Sequence, residues 1–470
     1  MRLKRIFFFI FYFLLLTLSF LFAQNAWIQT YAPFNADTYQ TEDVIVCQDG
    51  GYVINGYYEI YDPPFYDEKW GFLIKTDSDG NLLWAKEDTV NFMSESESDA
   101  FVETDDGCFI SAVSNMWGGT ALIKRDSEGN REWVIDGADL YVDSMFKTND
   151  SNILLGGRYN TFPTLRKITQ EGEILWTQDY YLSGSGSGKV RSVIQTSDGG
   201  FAITGYTSGN GFDLFVLKTD ADGDSLWCVT YDGFGDWDEG YCIIENSQND
   251  IFVSGYLRGN NRIYYGVLIK FDSEGELIFI LDEYSSNHFY CFFSMVDTIT
   301  DNKIVGYGRD ADGRALNFYN YNGESLWDTP LPLRANGIGD KSLQIIDNGF
   351  ILCGKSWGWD IALVKTDSNG QVTAIDDEII FLQDYKLSNY PNPFNPSTLI
   401  QFALPDDVKN PIVEIFNVKG QKINQLRITN YELGINEVVW NAEEFSSGLY
   451  LYRINSENYI SETKKMTLIK

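Results

Sequence analysis

The chain has 470 residues, of which 44% are hydrophobic and 16% aromatic, and this composition is far from that of disordered proteins. The length exceeds that of one ordinary domain and predicts two or three. With 67 acidic and 35 basic side chains the formal charge is -32, which would repel a phosphate backbone or an anionic bilayer, so nucleic acid is excluded as an expected partner.

Residues 1–23 have the pattern of a signal peptide. Arg2, Lys4 and Arg5 precede an apolar run that ends at Phe22 and Ala23. A retained membrane anchor is the alternative, because the run is near the lower limit for crossing a bilayer. We expect the signal to be removed, which leaves no stable membrane span in the mature chain.

A repeat dominates residues 24–376. The segment from Leu73 to Trp84, LIKTDSDGNLLW, returns from Leu122 to Trp133 as LIKRDSEGNREW. Aligned on the turn glycine, the repeat occurs at Gly80, Gly129, Gly172, Gly223, Gly275, Gly323 and Gly370. Four short strands joined by Asp-Gly, Gly-Gly and Asn-Gly turns fill each unit and leave no room for a helix. The pattern predicts a seven-bladed β-propeller with four-stranded blades in an all-β chain.

The two ends of the repeat region predict how the ring closes. Six repeats have an aromatic residue four positions after the turn glycine, whereas the seventh has Ala374. The missing segment occurs at the start, where Trp27 to Tyr31, WIQTY, matches Trp227 to Tyr231, WCVTY. We expect this N-terminal strand to complete the seventh blade and remove an open sheet edge. The repeated tryptophans are expected to pack between neighbouring sheets.

These units resemble exported bacterial propeller repeats whose consensus contains Asp-Gly-Gly, Gly-Tyr-Thr and Leu-x-Lys-Thr-Asp-x-x-Gly-x-x-x-Trp. The resemblance extends from residue 27 to about residue 375. The sixth repeat departs from it, with Phe318 at the lysine position and Asn320 at the aspartate position. The resemblance implies a fold and almost no biochemistry.

A second domain is predicted at residues 388–470, after an acidic linker at residues 377–387. It begins with a proline-rich segment, NYPNPFNPST, whose prolines exclude a regular strand or helix interior. Six or seven short strands follow in some 80 residues. This spacing predicts an immunoglobulin-like β-sandwich.

This segment resembles the type A sorting domain of the type IX secretion system over its full length. The matches include the YPNPFNP segment, the hairpin FNVKGQ, Trp440, SGLY and the closing KKMTLIK. The residues that carry the expected sorting signal are Pro391, Asn392, Pro393, Gly420, Gly448, Lys465 and Lys470. The resemblance implies transport by the secretion machinery from the periplasm across the outer membrane, followed by release or attachment at the cell surface. A purely structural sandwich is the alternative.

No catalytic residue, metal site or cofactor is predicted. The only histidine is His288, and HExxH, Walker and GxSxG motifs are absent from the sequence. The six cysteines have no CxxC spacing, and only Cys228 with Cys242 is worth testing as a disulfide.

A binding surface is predicted where the loops between strands two and three lie beside the connections between blades. Aromatic and acidic residues gather in these loops: Tyr61, Phe65, Tyr66, Trp70, Trp117, Asp236, Asp238, Glu239, Trp357 and Trp359. Aromatic faces beside carboxylates suit stacking on a glycan or holding a basic segment of a protein ligand. The alternative is that these side chains only decorate variable loops.

The leading functional hypothesis is therefore a secreted or cell-surface binding or scaffold protein. A glycan-active enzyme, a hydrolase or lyase that uses two loop carboxylates, is the second hypothesis, because such pairs have no sequence signature. A structural surface component without a specific ligand is the third.

Overall fold

The structure is a computed structural model, and in the ranges that it describes all regular elements are β-strands. The described residues are 26–34, 36–60, 68–88, 96–115, 119–182, 187–208, 211–233, 237–258, 264–282, 291–298, 301–309, 314–333, 335–336, 339, 341–347, 349–356, 358–372, 387–390, 392–403, 411–428, 435–456, 461 and 463–470. The predicted signal peptide and residues 377–386 of the predicted linker lie outside them. By its contacts the chain divides into two compact units, residues 1–375 and 376–470.

The first unit consists of antiparallel meanders, and in the first six of them each strand pairs with the next along the chain. Meander 1 has β2 (Thr38–Val46), β3 (Tyr52–Ile60), β4 (Glu68–Thr76) and β5 (Leu82–Glu87); meander 2 has β6 (Ser96–Glu103), β7 (Phe109–Asn115), β8 (Gly119–Arg125) and β9 (Arg131–Ala138); meander 3 has β10 (Leu140–Lys147), β11 (Ile153–Tyr159), β12 (Phe162–Ile168) and β13 (Ile174–Asp179); meander 4 has β14 (Gly188–Gln195), β15 (Phe201–Ser208), β16 (Phe212–Thr219) and β17 (Ser225–Tyr231).

Meander 5 has β18 (Trp237–Glu245), β19 (Ile251–Arg258), β20 (Tyr264–Phe271) and β21 (Leu277–Asp282); meander 6 has β22 (Cys291–Thr298), β23 (Lys303–Arg309), β24 (Arg314–Asn320) and β25 (Ser325–Leu331); meander 7 has β26 (Ala335–Asn336), β27 (Leu343–Ile346), β28 (Gly349–Lys355), β29 (Ile361–Asp367) and, from the start of the chain, β1 (Trp27–Tyr31). A single parallel pair, Phe212 with Trp237, joins meanders 4 and 5 into one eight-stranded sheet.

The chain reverses at the turn between the third and fourth strands because one side chain caps it. In meander 1 the Asp77 carboxylate accepts the N–H groups of Asp79 and Asn81 at 2.9 and 2.8 Å, and Gly80 adopts φ +81°. In meander 6 the Asn320 side-chain oxygen accepts two N–H groups in the same way, each at 3.0 Å. The sixth repeat therefore keeps the turn although it departs from the consensus.

The repeated tryptophans pack between neighbouring sheets, as predicted. The Trp84 indole N–H donates to Ser127 O in the next meander at 2.9 Å, and that of Trp227 donates to Ser273 O at 3.1 Å. The Trp227 ring lies so close to the turn glycine of the next meander that a Cβ on Gly275 would come within 2.7 Å of it. A glycine at this place therefore serves both the turn and the packing between sheets.

Strand β1 closes the first unit. It pairs antiparallel with β29, which puts Trp27 opposite Lys365 and Gln29 opposite Leu363, and this is the predicted pairing of the N-terminal strand with the last repeat. The Tyr31 hydroxyl donates to Gly80 O at 2.6 Å. One buried core contains residues of meanders 1 and 7, and every other consecutive pair of meanders also shares a core. The first unit is thus an all-β, propeller-like fold.

Hydrogen bonds between first strands reinforce this packing. Each first strand of meanders 3 to 6 contains a β-bulge, and the residue after the bulge faces the next meander. Ser144 Oγ accepts the N–H of Val193 and Ser192 Oγ accepts that of Ile243, both at 3.3 Å. Cys242 takes the same place in meander 5, and its Sγ accepts the N–H of Met295 at 3.3 Å. Both Cys242 and Cys228 are free thiols, so the disulfide considered for this pair is not formed.

Each of the first five meanders also contains one buried lysine that reaches an aspartate in its own first turn. The pairs are Lys75–Asp49 at 2.7 Å, Lys124–Asp106 at 3.3 Å, Lys167–Asp150 at 2.7 Å, Lys218–Asp198 at 2.8 Å and Lys270–Asp250 at 2.8 Å. Burial alone would raise the pKa of Asp198, but Lys218 and the Thr196 hydroxyl outweigh it and lower that pKa to about 2.

The Lys218–Asp198 pair should make stability depend on pH. Because the folded-state pKa of Asp198 is below its unfolded value of 3.8, the stabilisation is complete above about pH 4 and disappears as the pH falls through 2. We expect Asp198→Asn to have a lower melting temperature than the unsubstituted protein at pH 6 and a much smaller difference near pH 2. Thermal melts at the two pH values, at low and at 1 M salt, test this; a difference as large at pH 2 as at pH 6 would contradict it.

The second unit has two antiparallel sheets around one core. One sheet has the order β30 (Ser388–Tyr390), β31 (Ser397–Ala403), β34 (Ile435–Asn441), and the other has the order β33 (Lys422–Arg427), β32 (Ile412–Asn417), β35 (Gly448–Asn455), β36 (Lys464–Leu468). Trp440 is the largest fully buried side chain among the described residues and contacts the rings of Phe394, Phe445 and Tyr450 at centroid distances of 5.4–5.5 Å.

None of the elements in the described ranges is a helix with the length and apolarity needed to cross a bilayer.

Candidate functional site

Strand direction defines one edge of the first unit, which we call the loop face. Successive strands of a meander run in opposite directions, so the start of the first strand, the connection between strands two and three and the end of the fourth strand lie at the same edge. Of the predicted binding residues, Trp70, Asp238, Glu239 and Trp359 are described. The other predictions fall outside the described residues: Tyr61, Phe65, Tyr66, Trp117, Asp236 and Trp357.

Trp359 occupies the left-handed position of a tight turn. The turn from Ser356 to Asp360 has the hydrogen bonds of the glycine turns: Ser356 N–H donates to Asp360 O at 2.9 Å, and Ser356 Oγ accepts the N–H groups of Gly358 and Asp360 at 3.1 and 3.2 Å. In those turns the left-handed residue is glycine, whereas here it is Trp359 with φ +70°. A bulky residue rarely adopts this conformation.

The Trp359 side chain lies at the junction of meanders 7 and 1. Trp359 is 41% exposed. The Lys355 ammonium lies 5.2 Å from the centroid of the Trp359 ring and donates to the Thr38 hydroxyl at 3.1 Å. The carbonyl of Trp359 accepts the N–H of Tyr39 at 3.2 Å. The Trp359 carbonyl and the Lys355 side chain that lies against the ring therefore both bond to the first strand of meander 1, at the loop face.

Trp70 lies near the same junction, on β4, directly opposite Tyr58. It is half-buried and packs against the core that contains Tyr39, Tyr58 and Phe72. Its indole nitrogen is buried and has no hydrogen-bond partner among the described residues. Trp70 and Trp359 are thus both tied to the junction of the first and last meanders.

Asp238 and Glu239 are buried rather than presented on the surface. Asp238 accepts the N–H groups of Gly233 and Arg258 at 2.6 and 3.1 Å, and burial raises its pKa although these bonds lower it. Glu239 accepts the Arg191 Nε–H at 2.5 Å and the Tyr256 hydroxyl at 3.0 Å. Both carboxylates therefore have intramolecular partners that position β18, and their part in binding stays a prediction.

Arg191 belongs to a charged network along the first strands. It lies at the bulge of β14 and reaches Asp143 of β10 at 3.4 Å, while Lys189 pairs with the same carboxylate. Its guanidinium lies 5.6 Å from the Tyr241 ring centroid. The sequence did not indicate this network, because it depends on bulges that aim side chains across meanders 3, 4 and 5.

An aromatic strip on the loop face was also missed by the sequence analysis. Phe162 and Tyr181 have ring centroids 4.6 Å apart at the junction of meanders 3 and 4, and Tyr181 is 75% exposed. At the next junction Phe212 and Trp237 stack at 4.3 Å, and Tyr206 meets Phe212 edge-on at 5.1 Å. Phe162, Phe212 and Trp237 each begin a third or first strand, a place the repeat consensus does not assign. Tyr206 is the tyrosine of the Gly-Tyr-Thr consensus, and Tyr181 follows a fourth strand.

Two acidic residues lie at the same edge of meander 4. Asp213 follows Phe212 on β16, and Asp232 follows β17. Burial and the charge of Asp232 raise the pKa of Asp213. An open groove of about 490 Å³ runs from Tyr181 between β13 and β17. Within the described ranges, no three His, Cys, Asp or Glu side chains are placed to hold a metal ion together.

The sequence of the second unit indicates the cellular location of the protein. Residues 388–470 match the family model of the secretion system C-terminal sorting domain. These residues are a sorting domain. The protein is exported by type IX secretion and is secreted or attached to the cell surface.

The proline-rich segment of the sorting domain lies along its last strand. Phe394 N–H donates to Thr467 O and Ile469 N–H donates to Phe394 O, both at 2.9 Å. The Asn392 side chain accepts the N–H of Thr467 at 2.8 Å and donates to Lys465 O at 3.2 Å. Two matching segments that are far apart in the sequence therefore form one structure, with Asn392 covering the edge of β36.

The other predicted sorting residues lie at turns and at the exposed surface. Gly420 has φ +75° in a turn whose N–H groups are capped by Asn417, and Gly448 begins β35. Pro393 and Lys465 are exposed, and Lys470 N–H donates to Ser447 Oγ at 2.9 Å. Pro391 lies outside the described residues. The signalling role of these residues stays a prediction.

Many solved structures are similar to the chain, and three of them, all at low identity, illustrate the likeness. The Dos1 propeller has a TM-score of 0.45 and 10% identity over 72% of this chain and 95% of that chain. A functionally unknown protein from Desulfotomaculum acetoxidans DSM 771 has a TM-score of 0.41 and 13% identity over 65% and 89%. A eukaryotic initiation factor has a TM-score of 0.33 and 8% identity over 63% of this chain and 78% of that chain. No curated protein matches the chain.

Proposed function

We propose that this protein is an extracellular binding module: a seven-bladed β-propeller that holds a neutral glycan on its loop face, followed by an immunoglobulin-like sorting domain. The left-handed, exposed Trp359 carries the proposal. Seven sequence repeats, each of which corresponds to one meander, support seven blades. Two antiparallel sheets that share one core support the sandwich.

The conformation of Trp359 opposes folding, which favours a role in binding. A left-handed residue with a Cβ costs about 1–2 kcal/mol, and the equivalent glycine turns avoid this cost. The chain has a glycine one position earlier, at Gly358, and still puts the indole at the strained position. Strain of this kind gathers at sites where a side chain must be presented in a fixed orientation.

The distribution of charged side chains favours a neutral ligand. Residues 24–375 contain 54 acidic and 23 basic side chains, whereas the sorting domain contains 9 and 8, so the excess negative charge lies in the binding unit and repels polyanions. The Lys355 ammonium already lies against the Trp359 ring, which weakens the attraction of that ring for a second cation. A neutral sugar ring, which offers an apolar face and hydroxyl groups, fits this environment best.

Replacing Trp359 with glycine should separate binding from stability. We expect Trp359→Gly to raise the melting temperature, because the strain disappears, and to weaken binding of neutral oligosaccharides about 10-fold or more, because the stacking surface is lost. Isothermal titration with cellulose-, laminarin-, mannan- and starch-derived oligosaccharides, beside thermal melts, measures both effects.

Leu83→Ala is the matched control, since Leu83 is exposed at the opposite edge of meander 1 and should leave binding unchanged. Unaltered binding by Trp359→Gly, or an unsubstituted protein that binds none of these glycans, would disprove the proposed function. A reducing-sugar assay on the same samples distinguishes binding from hydrolysis, which the enzyme hypothesis requires.

A further inference from the structure

We propose that the aromatic strip of Phe162, Tyr181, Tyr206, Phe212 and Trp237 is a second subsite for the glycan, so that the ligand is an extended chain rather than a small sugar. This inference rests on the proposed function and adds the length of the ligand to it. The strip lies on meanders 3 to 5, whereas Trp359 lies at the junction of meanders 7 and 1.

The strip has the chemistry of a stacking surface. Phe212 and Trp237 are nearly parallel, with 29° between their planes, and come from different meanders joined by the parallel pair at these same two residues. Their orientation is therefore fixed by the backbone of both sheets, and both residues are half-buried. Two successive junctions carry such aromatic pairs at one edge, which a single small ligand would not require.

Tyr181 extends the surface towards meander 3. It is the most exposed large aromatic side chain among the described residues. Its neighbour Phe162 is the first residue of the third strand of meander 3, as Phe212 is the first residue of the third strand of meander 4. The Asp213 and Asp232 carboxylates lie at the same edge of meander 4, and carboxylate oxygens can accept hydrogen bonds from the hydroxyl groups of a sugar. Acceptors beside apolar faces suit a polyhydroxylated chain.

The two subsites predict a dependence on chain length. A disaccharide can occupy only one subsite, whereas a chain long enough to reach both gains the second contact intramolecularly and binds more tightly without any new kind of contact. We expect affinity to rise sharply at one chain length and then to level off.

The test measures the affinity for oligosaccharides of increasing length, from disaccharide to decasaccharide, taken from the glycan that the protein binds most tightly. Two variants of the aromatic strip are compared with the unsubstituted protein. Tyr181→Ser removes a side chain that folding does not need, and Phe212→Leu removes a ring while keeping apolar volume. We expect each variant to bind the disaccharide normally and the decasaccharide about 10-fold more weakly. Leu226→Ser, exposed on β17 at the opposite edge, is the control.

The outcomes separate the two proposals. If both strip variants bind the decasaccharide as the unsubstituted protein does, while Trp359→Gly still loses binding, the second subsite does not exist and the proposed function stands. If affinity does not depend on length, the extended-chain inference is wrong. Preference for chitosan oligosaccharides over neutral ones would instead show that the acidic residues select a cationic chain. Absence of any glycan binding removes both proposals.

Discussion

Asp88→Ala is expected to lower the free energy of unfolding of the propeller-like unit by about 3–5 kcal/mol, because it leaves the Arg125 guanidinium buried without its counter-ion. The Asp88 side chain is fully buried and that of Arg125 is 4% exposed; Arg125 Nη2 lies 3.0 Å from Asp88 Oδ1. The guanidinium also donates to Gly129 O at 3.0 Å and to Glu87 O at 2.6 Å. Denaturant unfolding followed by tryptophan fluorescence measures the loss.

The repeat itself explains why this ion pair exists. Four residues after the repeat tryptophan, Tyr31 and Tyr180 donate their hydroxyls to the turn-glycine carbonyls Gly80 O and Gly223 O of the next meander. At the junction of meanders 1 and 2 this position is Asp88, which cannot donate, and the next meander has Arg125 where others have Thr76 or Thr219. Arg125 therefore supplies the missing donor to the turn glycine, and Asp88 neutralises it.

This substitution pattern offers a rescue variant from within the chain. The double variant Asp88→Tyr with Arg125→Thr recreates the arrangement of Tyr31, Thr76 and Gly80, so its stability should return to within about 1 kcal/mol of the unsubstituted protein. Asp301→Ala is the control, since its exposed pair with Lys303 should change stability by less than about 1 kcal/mol. If Asp88→Ala costs no more than Asp301→Ala, the ion pair does not hold the two meanders together.

Local chemistry explains how much of the fold the sequence predicts. A capped turn with a glycine at the left-handed position recurs every 43–52 residues, and each such turn fixes a hairpin by itself. The closing strand was predictable because Trp27 and Tyr31 stand where other repeats have the same residue types at the end of a meander. Their partner Gly80 is a turn glycine, and each repeat has a glycine at that position. Even the departure at Asn320 keeps a capping oxygen, so the turn survives.

The candidate binding surface was less predictable because it depends on neighbouring meanders. Asp238 and Glu239 are predicted in a loop, but they lie on β18 and are buried. Their partners include the backbone of Gly233 and the Arg191 guanidinium, and no pattern within one repeat indicates these contacts. The stack of Phe212 on Trp237 joins residues from two repeats, and no periodicity within one repeat indicates it. The left-handed conformation of Trp359 is likewise hidden, because the sequence has glycine one position earlier.

Export depends on a unit whose stability can be changed separately. Trp440→Ala is expected to lower the free energy of unfolding of the sorting domain by about 3–5 kcal/mol, because a fully buried indole between Phe394, Phe445 and Tyr450 is replaced by a cavity. A loss of this size is comparable to the whole stability of a small domain. The paired proline-rich segment and last strand would separate as Phe394 lost its place in the core.

We therefore expect Trp440→Ala to accumulate in the periplasm while its propeller-like unit keeps its fold and its ligand binding. Cell fractionation with an antibody against the propeller-like unit measures the export defect, and the melt of the purified chain shows which unit has changed. Val439→Ser is the control, since this neighbouring side chain is exposed and should leave export intact. Normal surface display of Trp440→Ala would show that transport reads the exposed segments of the sorting domain without requiring its packed core.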